Sequence, residues 1–281
     1  MFKFDELLDK SVQLFSLPEI YFKLRNAFDD PDSSLGDIVA VMKNDPAMTM
    51  RLLRLANSPF YGFASRIETV DRAINLLGIK EVENLALSVH IIEASMQIGL
   101  LNSELEKFWY DSVQVAIISR LMAGQCNVLD VERLFVAGLL HNIGHLALIS
   151  QMPEETDYMS NVAKKQGIDL CLIEKNVLGY HYAQIGSELM SVWGLPESIR
   201  LIVKYHNEPQ QAELYLLETH IVNLARAFVF AKDIAELLAG LSEEVKKNIN
   251  LDTVALEQIY IDSQAQLNDV YTLLMPQARA A

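Results

Sequence analysis

Along nearly the whole chain the apolar residues return every three or four positions, and runs that alternate apolar with polar at every second position are almost absent. A period of 3.6 gathers apolar side chains on one helix face, whereas a half-buried strand needs a period of two. The chain is therefore expected to be all-α, a succession of helices joined by short turns. Its punctuation agrees. Asp45-Pro46 supplies a capping carboxylate and then proline at the first helical position, ahead of a helix that Asn57-Ser58-Pro59 ends. Ser103-Glu-Leu-Glu106 is a capping box opening a long helix to about Gln125. Gly78, Gly167 and Gly194-Leu-Pro196 mark breaks between later helices.

Composition narrows the class further. With 281 residues, 51% hydrophobic and 21% charged, and only 12 glycines and 8 prolines, this is an ordered globular chain. No run approaches the ~18 apolar residues of a membrane span, and the acidic, amphipathic start from Met1 to Lys10 is unlike a signal peptide. A soluble, cytoplasmic protein without a membrane partner is expected. Lys and Arg number 23 against 37 Asp and Glu, a net charge of −14. The densest basic pieces, Arg51/Arg54 and Lys246/Lys247, are short and flanked by acids, too little to release the counterions that drive nucleic-acid binding. No DNA partner is expected. Cys126 and Cys171 sit in apolar helical contexts without a partner motif and read as reduced core thiols.

No internal repeat or low-complexity linker divides the chain. The turn near Gly99 to Asn102 is the best boundary, giving an N-terminal lobe over 1–100 and a second lobe over 101–232. Residues 233–281 read as a C-terminal helical extension whose packing partner is not legible, with 276–281 as a frayed end.

Chemistry is sought first among the six histidines, His90, His141, His145, His181, His206 and His220, because neutral imidazole is the commonest metal ligand and proton shuttle. His141 opens Leu139-Leu-His-Asn-Ile-Gly-His145, where Gly144 allows close backbone approach. His141 and His145 are four apart, but Gly144 between them argues against a chelate. His90 and His220 read as interior or capping residues. No GxSxG, GxxxxGK[ST], HExxH, CxxC or GxGxxG occurs. Met42, Met48, Met50 and Met122 read as core gap-fillers. Arg51, Arg54 and Asn57, spaced i, i+3, i+6, form a candidate interaction face, with pairing of the arginines to acids such as Asp45 or Glu68 as the simpler expectation.

Over roughly residues 15 to 230 the sequence resembles the HDOD family, a branch of the HD-domain superfamily. The resemblance is carried by Leu17-Pro18, Ile38 with Asp45-Pro46, Arg51-Leu-Leu-Arg-Leu-Ala-Asn-Ser58 with Tyr61-Gly62, and Ala73-Ile-Asn-Leu-Leu-Gly78. Its second half is carried by Phe108-Trp109 with Ser112, Gly138-Leu-Leu-His-Asn-Ile-Gly144, Ile185-Gly186, Trp193-Gly-Leu-Pro196 and Tyr205-His206. The resemblance implies a two-lobed helical module with an HD-like bundle in its second lobe. In catalytic HD proteins a helix histidine, a His-Asp doublet and a later Asp hold one or two metals. On that pattern Asp111 stands for the first histidine, His141-Asn142 for the doublet and Arg226 for the late Asp, so His141 alone is intact.

Asp111 could still ligate, whereas Asn142 offers a neutral carbonyl and a guanidinium cannot ligate at all. A unit charge about 5 Å from a divalent ion, at an effective dielectric near 20, costs on the order of 6 kcal/mol. The complementary changes suggest Arg226 paired with Asp111 where a metal once sat. Against this, Asp111, His141, His181 and His206 would suffice for one ion, Mn, Fe, Ni, Zn or Mg, if all four converged.

The expectation is a non-catalytic bacterial signalling or regulatory module without a cofactor, meeting a protein partner through its surface or forming a homodimer. A metal-dependent phosphohydrolase is the alternative, and a small-molecule sensor using the old metal cleft is the third reading.

Overall fold

A computed structural model describes residues 3–15, 17–100, 102–231 and 234–275, apart from the side chains at 102, 243, 244 and 246. Its helices are α1 (Phe4–Leu14), α2 (Glu19–Asp29), α3 (Leu35–Met42), α4 (Pro46–Ala56), α5 (Val70–Leu77) and α6 (Ile79–Ser95). There follow α7 (Asn102–Gln125), α8 (Val131–Leu140), α9 (Ile143–Gln151), α10 (Pro153–Gln166), α11 (Leu170–Leu178) and α12 (Tyr182–Trp193). The chain continues through α13 (Glu197–Tyr205), a 3-10 turn at Pro209–Gln211, α14 (Leu216–Phe230), α15 (Ile234–Ala239), α16 (Glu243–Ile249) and α17 (Thr253–Leu274). No strand occurs among the described residues, so the fold is all-α.

Several of the expected helix ends work as their chemistry requires, whereas α7 begins at Asn102, ahead of the capping box expected at Ser103. Asp45 Oδ1 accepts the Met48 N–H at 2.9 Å, satisfying an orphan donor in the first turn of α4. Gly167, Gly179 and Gly194 take left-handed backbone at the ends of α10, α11 and α12. The frayed end expected at 276–281 lies outside the described residues.

Contacts group the chain into two compact units. The larger takes the chain up to residue 14 and from 98 to 263; the smaller takes 15–97 and the chain from 264 onward. This differs from division at 100/101 and 232/233. The first helix joins the larger unit because its buried Leu7 and the Phe4 ring, 5.1 Å from that of Tyr180, face α9 and α12. Helix α17 is shared, its first half belonging to the larger unit and its second to the smaller.

In the smaller unit α6 is the central element. Every residue from Val82 to Ile92 is buried, the signature of a helix covered all round. His90 lies here: its Nδ1 meets Ala86 O at 2.8 Å and its Nε2 meets Asp45 Oδ2 at 3.0 Å, tying α6 to the cap of α4.

In the larger unit α7 and α14 flank α8, and α12 bridges α9 and α13. Trp109, Phe135, Tyr182, Trp193 and Phe228 fill the interior, each large apolar side chain contributing roughly 1.5–3 kcal/mol on burial. A long apolar stretch, Val131–Gln151, is mostly buried and is broken at His141-Asn142 into α8 and α9. Two glycines set the spacing. A Cβ on Gly138 would lie 2.8 Å from Ala116 Cα, and one on Gly144 would lie 2.0 Å from Tyr182 O. Both cysteines are free: Cys171 is buried, while Cys126 is half-buried and its thiol reaches Ile249 O.

Candidate functional site

The resemblance points to the surroundings of His141, and the geometry there follows from how α8 ends. His141 is the C-cap of α8 and Asn142 the N-cap of α9, so the doublet occupies the joint between two buried helices. His141 is fully buried, and its Nδ1 lies 2.7 Å from Gly138 O. Because a carbonyl only accepts, the ring proton sits on Nδ1 and Nε2 presents a bare lone pair. That lone pair is buried without a partner among the described residues. Burial pushes His141 down to about 3, and the charge of Arg226 adds to the shift.

His206, the C-cap of α13, repeats the arrangement. Its Nδ1 meets Val203 O at 2.6 Å, and its ring stands edge-on to that of His141 with centroids 5.3 Å apart. Here Nε2 is occupied: the Tyr182 hydroxyl lies 3.0 Å away and also reaches Asn207 Oδ1 at 3.1 Å. Burial, with the neighbouring His141 and Arg226, holds His206 well below the ordinary imidazole range. Asn223 Nδ2 donates to His206 O at 2.7 Å, fastening α14 across the end of α13.

His181 is the N-cap of α12, where its backbone N–H donates to Gln184 Oε1 at 3.0 Å. Its Nε2 is 3.8 Å from Glu208 Oε2, a carboxylate already paired with Lys175. Burial pushes His181 to about 4. His145 does not share a helix with His141, since the break at Asn142 intervenes. It lies instead 3.9 Å from Glu174 Oε1, with its ring centroid 5.7 Å from that of Tyr182. Burial lowers it to about 4, with Arg226 adding to the effect.

Two expectations need correction. Asp111 does not pair with Arg226; Lys107, one turn earlier on α7, holds it at 2.7 Å, the proximity that i,i+4 spacing provides. The four candidate ligands also fail to assemble. No three His, Cys, Asp or Glu side chains among the described residues form a metal's ligand set. His141 and His206 are brought together, but His206 Nε2 is engaged by Tyr182, Asp111 by Lys107, and His181 faces Glu208. The residues present therefore do not fit the metal centre of the HD superfamily.

Arg226 projects from α14 with its guanidinium 5.7 Å from the Phe230 ring centroid. Its permanent charge lowers the titration of His141, His145 and His206 and acts against the burial shifts of Glu174 and Tyr182. Sequence reasoning missed Glu174, Tyr182, Asn207 and Asn223. Glu174 is wholly buried on α11; its Oε2 accepts the Tyr182 N–H at 2.9 Å, and burial raises it to about 7. One signal could have found it: Glu174 shares the apolar face of Cys171 and Leu178 at i−3 and i+4, an unusual place for a carboxylate.

The candidate face on α4 separates into three roles. Arg51 pairs with Glu93 at 2.6 Å, not with Asp45, whose carboxylate is held by Met48 N and His90. Asn57 accepts from Ile67 N at 2.7 Å and donates to Ile67 O at 2.7 Å, clamping the loop that follows α4. Arg54 has neither ion pair nor hydrogen bond among the described residues, Glu68 included, and lines an open groove.

The chain is all-helical, brings His141 and His206 together at a broken helix joint, and has no ligand set for a metal among the described residues. Residues 14–209 match the HDOD domain family, and the chain belongs to it. It is 25% identical over 214 residues to an uncharacterized protein of Treponema pallidum (strain Nichols), a match covering 74% of this chain; the chain spans 40% of that relative's length. Among crystal structures it is similar to a Shewanella amazonensis SB2B protein named "Putative phosphohydrolase", with 25% identity, TM-score 0.75, and coverage of 95% and 98% of the two chains. An HDOD domain protein of unknown function from Geobacter sulfurreducens shares the fold at 20% identity and TM-score 0.67, covering 95% and 97%.

Proposed function

We propose that the chain is a non-catalytic regulatory module of bacterial signalling that works through protein contacts, with its HD cleft retained as a buried polar core. The observation that carries this reading is that the four candidate ligands do not assemble: Asp111 is held by Lys107, His206 Nε2 by Tyr182, and His181 faces Glu208. With Arg226 adding a permanent positive charge and no carboxylate joining His141 and His206, nothing there offsets the charge of a divalent ion that would polarise a phosphate and activate water.

One observation favours a second reading, a metal-dependent phosphohydrolase: the unpartnered Nε2 of His141. Calorimetric titration with Mn or Ni separates the two. The wild-type chain is expected to give no heat of binding, while Asp111→His, Asn142→Asp and Arg226→Asp together restore charge and ligands and create micromolar or tighter affinity. Stoichiometric binding by the wild type, with hydrolysis of a phosphodiester such as bis-p-nitrophenyl phosphate, would reverse the assignment.

A further inference from the structure

The groove beside α4 lies wholly within the smaller unit and is unrelated to the histidine cleft. It encloses about 1030 Å³ between α4 and the loop that Asn57 clamps. Leu53, Phe63 and Ile67 form its apolar floor, anchored on the cluster of Ala56, Ile67 and Ala73. Met50, read from the sequence as a core residue, is 51% exposed on its wall. Methionine there offers a soft, adaptable contact surface.

Charge distinguishes this groove from ordinary surface. Lys43, Arg54 and Arg66 line it and are exposed, and none of the three side chains carries an ion pair or hydrogen bond among the described residues. Glu68 is the one acid in the lining. A chain of net charge −14 thus concentrates a local positive excess on one apolar groove. With charges screened beyond about 8 Å at physiological ionic strength, an acidic partner repelled by the rest of the surface is attracted here.

We infer that this groove docks an acidic amphipathic helical segment of a partner protein, its apolar side chains against Leu53, Phe63 and Met50 and its carboxylates on Lys43, Arg54 and Arg66. The inference rests on the protein-contact reading and names the surface and the partner's chemistry. A nucleotide fits less well, because the groove is open, its walls are mainly apolar, and the Asn57 amide is already committed to Ile67. Apolar anchors spaced i, i+3 and i+4 suit a helix lying along such a groove.

The test is selection of random displayed peptides of about 16 residues on the full chain, in parallel with Arg54→Glu/Arg66→Glu and Arg54→Lys/Arg66→Lys. Both positions are exposed, so all three proteins are expected to melt alike. Enriched peptides should be acidic with paired apolar residues, should lose about tenfold or more in affinity on the double Glu variant and at raised salt, and should retain binding to the double Lys variant. Enrichment of neutral or basic peptides, or of none, overturns the inference. So does a wild-type dimer that the Glu variant makes monomeric, because the occupant is then a second copy. Acidic peptides that bind the Glu variant equally well remove the groove but leave the protein-contact reading intact, whereas metal-dependent hydrolysis by the wild type removes that reading whatever the peptides do.

Discussion

Replacing Gly144 with alanine is expected to destroy the native packing of the larger unit. A Cβ at this position would lie 2.0 Å from Tyr182 O and 2.5 Å from Gly186 N, both backbone atoms of α12 that no rotamer change can withdraw. Helices α9 and α12 must separate, and the separation carries Tyr182 away from His206 and His145. Overpacking of a well-filled core costs 1–3 kcal/mol when side chains can give way; with backbone on both sides, a loss of at least about 3 kcal/mol is expected. Urea denaturation measures it as a lowered midpoint. Gly124→Ala is the control, since nothing lies within 4 Å of its added methyl and a helical glycine replaced by alanine gains up to about 1 kcal/mol. A Gly144→Ala midpoint equal to that of the wild type would show that α9 and α12 do not meet as described.

Acid is expected to destabilise the larger unit as the pH falls from 6.5 to 4. His141 at about 3 and His145 at about 4 are neutral in the fold but protonate near 6.5 once unfolded. The unfolded chain therefore binds more protons, so the stability these residues contribute is present above pH 6.5 and is lost as pH falls toward their folded values. Each forfeits about 3 kcal/mol by pH 4. His181 and His206 are shifted in the same direction and add to the loss. Glu174 works the other way. Raised to about 7, it destabilises the fold as pH rises from 4.5 toward 7, and it returns about 3 kcal/mol on acidification. The histidines outweigh it, and stability followed by denaturation at successive pH values should fall by several kcal/mol across this window. A flat profile would mean that these rings are solvated.

The sequence carried the elements well because their ends are local chemistry. Asp45-Pro46, Gly167 and Gly194 each satisfy or break one helix turn, and a neighbour three or four residues away suffices to show it. Gly144 was legible for the same reason: a glycine among apolar helix residues marks close approach. Partnership between distant helices was not legible. Nothing in the periodicity of residues 4–14 says that they join helices beyond residue 98, nor that Glu93 rather than Asp45 waits for Arg51. The failure over Asp111 is instructive. Complementary changes at two family positions suggested a long-range pair, but Lys107 is tethered one turn away and needs no tertiary arrangement to reach the carboxylate. Glu174 escaped notice because a carboxylate in helical context reads as surface unless its apolar face is worked out residue by residue.

If Arg226 and the scattered candidate ligands leave His141 and His206 unable to retain a divalent ion, the purified chain carries none. Elemental analysis of the chain, purified without a histidine tag and without chelator, gives the moles of Mn, Fe, Ni and Zn per chain. Less than about a tenth of an equivalent of any of them is expected. A stoichiometric metal that disappears in His141→Ala would contradict it and return the chain to the phosphohydrolases.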